Sequence, residues 1–194
     1  RGFIWIGTRE GLNLFNGTTV VTYKSEEDNL NSLLYNSIQK ICSNGQGDIY
    51  IQGSQGVSVF KLKEEQFNTI IHDNVSTITY HNGLYIALNN KILFHKDGKH
   101  SLYFELENPY IKINVLKFVD NNLWIGTKQH GLFILSGKEI KNIQINSEVL
   151  DIYQDSQKSI WVCTMGDGLY RFNDTTLKHI YKQKENQGIA SNNT

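Results

Sequence analysis

The feature that most constrains the fold is a short apolar stretch that returns along the 194-residue chain. FIWIGTREGLNLFNG begins at Phe3, and both LWIGTKQHGLFILSG, from Leu123, and IWVCTMGDGLYRFND, from Ile160, repeat its aromatic, its turn and its second apolar run. Two weaker copies, IYIQGSQGVSVFKL and LYIALNNKILFHKDG, begin at Ile49 and Leu84. The anchoring aromatics are Trp5, Tyr50, Tyr85, Trp124 and Trp161. Such a period is typical of an array of supersecondary units.

Each unit divides into four short strands. The apolar runs are four to eight residues long, lie between Asn, Asp, Gly and Ser turns, and are too short for helices. IWIGT is apolar without alternation, which predicts that both of its faces are buried. An antiparallel four-stranded meander buried on both faces and repeated about an axis is a β-propeller blade. We therefore predict an all-β chain of about five blades, at about 1–24, 37–71, 75–106, 113–145 and 148–181.

The first unit lacks an inner strand, and residues 182–194 are similar in composition to the link YKSEEDNLNSLLYNSIQKI between the first two units. This arrangement predicts a link toward a next blade and an open slice of a larger propeller of about seven blades. Blade faces left without a neighbour would be covered by further blades of a longer chain or by a second copy, so a homodimer is expected.

The repeated aromatics are predicted to pack between neighbouring blades rather than to stack on a ligand. Gly7 and Gly126, which follow two of them, would allow the sheets to approach closely, and Gln52 and Cys163 occupy that place in other units. Cys42 and Cys163 lie in separate apolar strands and are expected to be free thiols.

Composition excludes several function classes. Lys+Arg and Asp+Glu number 19 each, so no basic excess indicates nucleic acid or an anionic membrane surface. The six histidines show no metal-ligand spacing, CxxC and CxxH are absent, and no phosphate-binding loop occurs. We expect no metal, no cofactor and no contact of this segment with nucleic acid. Contact with a membrane would come only through the parent chain.

Candidate binding residues follow the second strand of each unit. In a blade, the turn between the second and third strands and the link to the next blade emerge on one face, where propellers usually bind. These turns carry Arg9, Glu10, Ser54, Gln55, Lys128, Gln129, His130 and Met165 to Asp167, and one link carries Tyr35. They predict a site for an oligosaccharide or another small ligand, and the cationic members would suit an acidic sugar. The alternative is that they are solvated turn residues.

Two other functions remain open. A propeller glycosidase or lyase would need converging carboxylates, and the candidates are Asp48, Asp120, Asp151 and Asp155. All except Asp151 occupy or adjoin turns, where Asp is a common turn residue, so we expect no catalytic residues in this segment. A scaffold that binds protein partners would instead expose a broad apolar patch.

The units resemble the two-component regulator propeller repeat, in which an apolar strand and an Asp/Asn-rich turn precede Trp-[IV]-Gly-Thr, a variable pair, Gly-Leu and an aromatic. GFIWIGTREGLNLF, NLWIGTKQHGLFIL and SIWVCTMGDGLYRF carry the resemblance, whereas GLYIALNNKILFHK fits poorly. The resemblance implies a periplasmic sensor region of an inner-membrane-anchored hybrid protein. In such proteins similar arrays detect glycan fragments and signal to a histidine kinase and response regulator that control transcription.

Overall fold

The computed structural model describes residues 2–182, and every regular element assigned there is a β-strand. Over these residues no helix is long and apolar enough to cross a membrane. Residues 183–194 of the predicted link lie outside the described part. The strands are β1 (Ile4–Thr8), β2 (Gly11–Phe15), β3 (Val20–Tyr23), β4 (Ile38–Ser43), β5 (Asp48–Gly53), β6 (Gly56–Lys61), β7 (Gln66–Ile71), β8 (Thr77–Tyr80), β9 (Leu84–Leu88), β10 (Lys91–Lys96), β11 (Lys99–Glu105), β12 (Ile113–Val119), β13 (Asn122–Thr127), β14 (Leu132–Ser136), β15 (Glu139–Ile143), β16 (Val149–Gln154), β17 (Ser159–Thr164), β18 (Leu169–Asn173) and β19 (Thr176–Tyr181).

The strands form five sheets in which neighbours along the chain are neighbours in the sheet, here called blades 1 to 5. Blade 1 comprises β1–β3, and blades 2 to 5 comprise β4–β7, β8–β11, β12–β15 and β16–β19. The prediction of an all-β chain of four-stranded meanders is confirmed for blades 2 to 5. Blade 1 has three strands in the described residues.

The chain divides into two compact units. Unit 1 contains the residues up to Leu88 together with Leu93–Tyr103, and unit 2 contains Asn89–Ile92 and the residues from Phe104 onward. Each has its own apolar core.

The core of unit 1 is rich in aromatic pairs. Trp5 of blade 1 lies against Phe60 of blade 2, with ring centroids 5.3 Å apart, and Phe60 is fully buried. One blade later, Tyr50 of blade 2 stacks on Tyr80 of blade 3 at 5.4 Å. In both cases the repeated aromatic faces the next blade, which is the packing expected of a propeller.

In unit 2 the same arrangement joins blades 4 and 5. Trp124 is only 1% exposed and meets the ring of Phe172 edge-on, with centroids 5.3 Å apart. Trp124 of β13 pairs with Ile134 of β14, so both side chains lie on the same face of blade 4. That face packs against Ile152 and Val162 of blade 5.

Glycine after the aromatic permits this close packing. A Cβ added to Gly7 would lie 2.6 Å from Cγ2 of Ile38, and one added to Gly126 would lie 2.5 Å from Cγ1 of Val149. Ile38 and Val149 are the first residues of the next blade's inner strand. In blade 2 Gln52 takes this place, and its side chain joins blade 2 to the link before blade 3, because Nε2 donates to the carbonyls of Val75 and Ser76.

The expectation that every IWIGT strand is buried on both faces is wrong for β1. Ile4 is 56% exposed and Ile6 47% exposed, because they alternate with Trp5 and Gly7, which face blade 2, and so lie on the opposite face of the sheet. Trp161 in blade 5 is half-buried, and its ring lies against Tyr181 and Arg171 of its own sheet.

Tyr85 is well buried, and its ring contacts Phe94 and Tyr103, also within its own blade. Cys42 and Cys163 are free thiols, as predicted. Burial raises the pKa of Cys42 to about 12 and also raises that of Cys163.

Candidate functional site

The turns between second and third strands hydrogen bond to the links between blades, and together they form what we call the loop face. The backbone N–H of Asp73 donates to the carbonyl of Gln55 at 3.1 Å in unit 1. In unit 2, the backbone N–H of Lys128 donates to the carbonyl of Lys112 at 3.0 Å, and that of Met165 donates to the carbonyl of Glu148 at 2.9 Å. The sequence-predicted turns and links therefore lie side by side within each unit.

The motif itself shapes these turns. The hydroxyl of Thr127, which ends β13, donates to the carbonyl of Gly131 at 2.7 Å. Gly131 has a φ of 78°, and a Cβ there would lie 2.4 Å from the carbonyl oxygen of Ile143, so no other residue fits without movement. The same Thr–Gly bond closes the turns of blades 1 and 5, from Thr8 to Gly11 and from Thr164 to Gly168.

In unit 1 the candidate residues lie on the solvent side of their turns. Arg9, Glu10 and Gln55 are exposed, and Glu10 lies 4.0 Å from the ammonium of Lys24. The ring of Tyr35 covers Gly53, where a Cβ would lie 3.2 Å from it.

In unit 2 two candidates are engaged by other side chains. Lys128 lies 4.0 Å from the carboxylate of Glu148. Asp167 accepts hydrogen bonds from Lys182 and from the Tyr170 hydroxyl, and these bonds hold its pKa below the ordinary 3.8. Because the ammonium of Lys128 has a carboxylate partner, it does not offer an unmatched positive charge to an acidic ligand.

Gln129 and His130 line a groove of about 660 Å³ in unit 2, which we call the unit 2 groove. Its apolar lining comes from the end of β11, the link that follows it, and the third and fourth strands of blade 4. The apolar residues are Phe104, Leu106, Ile111, Phe133 and Ile140. The polar residues are Glu105, Glu107, Asn108, Gln129, His130, Lys138, Asn142 and Gln144.

Strand register explains how these side chains meet. Phe133 pairs with Asn142 and Leu135 with Ile140, so all four lie on one face of blade 4, opposite to the face of Trp124. The groove therefore follows β14 and β15 from the loop face, where Gln129 lies, toward the β14–β15 hairpin.

Hydrogen bonds brace the wall formed by the link. Asn90 Nδ2 donates to the carbonyl of Leu106 at 2.9 Å, and Leu106 N–H donates to the carbonyl of Asn90 at 3.0 Å. Asn108 closes a turn by accepting from Tyr110 N–H through Oδ1 at 2.9 Å. Glu105 pairs with Lys91, with N and O 3.5 Å apart.

His130 is fixed by its turn. Its backbone N–H donates to the Thr127 hydroxyl at 3.0 Å, and within residues 2–182 its buried Nδ1 has no hydrogen-bond partner. The turn therefore positions the backbone of His130 at the groove.

The groove also uses residues that sequence reasoning missed. Phe104, Asn108 and Asn142 lie outside the repeated turn. Phe104 is in β11 and Asn142 in β15, the fourth strands of blades 3 and 4, and Asn108 is in the link after blade 3. The strand patterns of β11 and β15 were visible in the sequence, but nothing in the sequence indicated that these two strands share a groove.

A second cavity, of about 490 Å³, lies in unit 1 beside the turns between first and second strands. Asn44, Asp48, Tyr50, Tyr80 and His95 line it. Burial, helped by the neighbouring Tyr80 and Asp48, raises the pKa of Tyr50 to about 12, so its hydroxyl stays neutral.

The four candidate carboxylates have local roles. Asp48 accepts from Asn44 Nδ2 at 2.8 Å, and Asp120, in the left-handed conformation with a φ of 45°, accepts from Gln154. Asp155 accepts from Trp161 Nε1 at 2.8 Å and from two backbone N–H groups of its own turn. Asp151 is exposed and accepts from the N–H of Ile152. Turn chemistry accounts for Asp48, Asp120 and Asp155.

Comparison with known proteins gives a consistent family. The two component regulator propeller family matches residues 143–166, which include β16 and the WVCT segment of β17 in blade 5. A curated protein, Histidine kinase P4 of Formosa agariphila, is 30% identical over 106 residues, which are 47% of this chain and 8% of that protein.

Among solved structures, the extracellular domain of BT3049 from B. thetaiotaomicron, described as a hybrid two component system, is 26% identical with a TM-score of 0.76. The match covers 94% of this chain and 29% of that domain. Virginiamycin B lyase from Staphylococcus aureus has a TM-score of 0.73 at 16% identity, over 92% of this chain and 66% of that one, which shows the fold alone. In its repeated motif, its four-stranded blades and these similarities, the chain is similar to two component regulator propellers, and residues 143–166 match that family directly.

Proposed function

We propose that this chain is a ligand-sensing propeller segment of the extracytoplasmic sensor region of a hybrid two-component protein, and that it detects glycan fragments. The extracytoplasmic location is supported by the similarity to an extracellular domain over 94% of the chain. The parent protein would be anchored in the inner membrane, sense in the periplasm, and carry the histidine kinase and response regulator that control transcription.

The observation that carries the proposal is the unit 2 groove. It combines five apolar residues with eight polar ones, which suits a ligand that has both apolar faces and many hydroxyl groups. Rings such as Phe104 and Phe133 suit the C–H faces of a sugar, and side-chain amides both donate and accept, as sugar hydroxyls do.

The enzyme alternative has less support. Asp48, Asp120 and Asp155 cap turns, and the similarity to a lyase is one of fold. We propose that this segment binds its ligand without converting it. Sustained release of reducing ends from a glycan, abolished by Asp151→Asn, would contradict this.

The scaffold alternative bears on partners rather than on the ligand. Ile4 and Ile6 in blade 1, and Tyr153 in blade 5, expose large apolar side chains on sheet faces. We propose that further blades of the parent chain or a second copy of this chain cover them. Light scattering that shows a monodisperse monomer at high concentration would contradict a homodimer.

Calorimetric titration of the purified chain with a panel of oligosaccharides tests ligand sensing. We expect one or more to bind, and Gln129→Ala combined with Asn142→Ala to weaken that binding about tenfold, or about 1.4 kcal/mol. Gln157→Ala, an exposed turn residue outside the groove, is the matched control. Binding that persists unchanged in the double variant would place the site elsewhere, and a panel without any binder would overturn glycan sensing by this segment.

A further inference from the structure

We infer that the unit 2 groove selects a neutral oligosaccharide and discriminates against one that carries carboxylates. The inference rests on the proposed function and concerns the class of glycan. It departs from the expectation that cationic turn residues would suit an acidic sugar, because the ammonium of Lys128 is paired with Glu148 outside the groove.

The first support is the distribution of cations. Lys128 neighbours Gln129 in the chain, but its ammonium lies 4.0 Å from Glu148, and it does not line the groove. Lys138 is the lysine that lines the groove within the described residues, and it lies in the β14–β15 hairpin. Seven residues separate it from Gly131 at the loop-face end, a distance of roughly 20 Å along an extended strand.

The second support is the carboxylates at the loop-face end. Glu105 is offset by Lys91 at 3.5 Å. Glu107, in the link, is exposed and forms no ion pair or hydrogen bond within residues 2–182. A sugar carboxylate bound near Glu107 would meet an unmatched like charge, which disfavours it.

The third support is the supply of uncharged polar groups. Within residues 2–182 the side-chain amides of Gln129, Asn142 and Gln144 form no hydrogen bonds, and all three are exposed along the groove. The amide oxygen of Asn108 is used by its turn, which leaves its N–H₂ group as a donor. Such groups can match hydroxyls in pairs without a charged partner.

The test uses matched ligands. Neutral tetrasaccharides of glucose, galactose and mannose are titrated against the purified chain beside the same tetrasaccharides with the C6 hydroxymethyl groups oxidised to carboxylates. We expect each oxidised form to bind about tenfold more weakly than its neutral counterpart at low salt. This difference in affinity between the neutral and oxidised forms should narrow when ionic strength is raised from about 0.05 M to about 0.5 M, because salt screens exposed charges.

Glu107→Gln should reduce this affinity difference about threefold, because it strengthens the binding of the oxidised forms. The matched control is Glu139→Gln, which removes an exposed carboxylate at the β14–β15 hairpin that does not line the groove, and it should leave the affinity difference unchanged.

Several outcomes would overturn the inference. Oxidised forms that bind as tightly as neutral ones, or more tightly in a way that Lys138→Gln abolishes, would contradict it and leave glycan sensing in place. An undiminished affinity difference in Glu107→Gln would remove the role assigned to that carboxylate. Absence of binding to every neutral and oxidised tetrasaccharide would count against the inference and the proposed function together.

Discussion

Strands β1 and β13 share the four residues WIGT, yet they occupy different environments. Trp124 and Ile125 in β13 are 1% and 0% exposed, whereas Ile6 in β1 is 47% exposed and Trp5 is half-buried. The reason is what packs on each face of the sheet: Trp124 is covered by blade 5, whereas in β1 Trp5 faces blade 2 and Ile6 lies on the opposite, exposed face. The same local sequence thus forms the same strand and turn, and the packing of blade against blade determines its burial.

The largest expected difference between the two copies is at tryptophan. Trp124→Ala should cost about 3–5 kcal/mol in the free energy of unfolding, as for other buried large-to-small changes. Trp5→Ala should cost roughly half as much, because part of that ring already lies in water. Urea denaturation followed by far-UV circular dichroism measures both. Equal costs would break the comparison, and an unchanged midpoint for Trp124→Ala would contradict its packing between blades.

At the following glycine the two copies should behave alike. Gly126→Ala and Gly7→Ala each place a Cβ within 2.6 Å of the next blade's first inner-strand residue, so each should cost about 1–3 kcal/mol. Gly126→Ala and Val149→Ala together should cost less than the sum of the two single changes, because Val149→Ala removes the clashing methyl. Fully additive costs in the same denaturation experiment would show that the close approach is not the cause.

A smaller difference is expected at threonine. Thr127→Val removes a buried hydroxyl that bonds to Gly131 and His130; the Gly131 carbonyl keeps the Thr127 N–H, but the His130 N–H loses its acceptor, so the change should cost about 1–3 kcal/mol. Thr8→Val, which breaks a part-buried bond that water can replace, should cost less. The Thr127 variant should also weaken oligosaccharide binding, since the turn holds His130 in the groove. Binding that is unaffected by loss of this bond would separate the turn from the site.

The smallest effect concerns the corresponding turn of blade 5. Lys182 and Tyr170 lower the pKa of Asp167 below its ordinary 3.8, so the carboxylate contributes stability above pH 3.8 that is lost as pH falls through the lower, folded-state pKa. Because this ion pair is partly exposed, the contribution should stay below about 1 kcal/mol. Asp167→Asn should therefore be slightly less stable than the wild type at pH 7, and the difference should vanish in acid. A difference that grows on acidification would contradict the assigned pKa direction.

The candidate binding site illustrates how far sequence reasoning reached. Gln129 and His130 were predicted from their place after WIGT, and both line the unit 2 groove. Lys128 and Asp167 were predicted for the same reason, but they are engaged by Glu148, Lys182 and Tyr170. The motif predicts which side chains leave the turn, whereas the partners of each charge come from links whose sequences do not repeat.

Local patterns in the sequence determined the strands, the turns and the place of each aromatic, because period-2 pairing, positive-φ glycines and Thr–Gly turns depend on neighbours within about ten residues. Tertiary structure decided the burial of each copy, the partner of each charge and the lining of the unit 2 groove. Phe104 and Asn142 lie 38 positions apart and belong to different sheets. Contacts of that kind depend on how one blade packs against the next, and no single repeat contains that information.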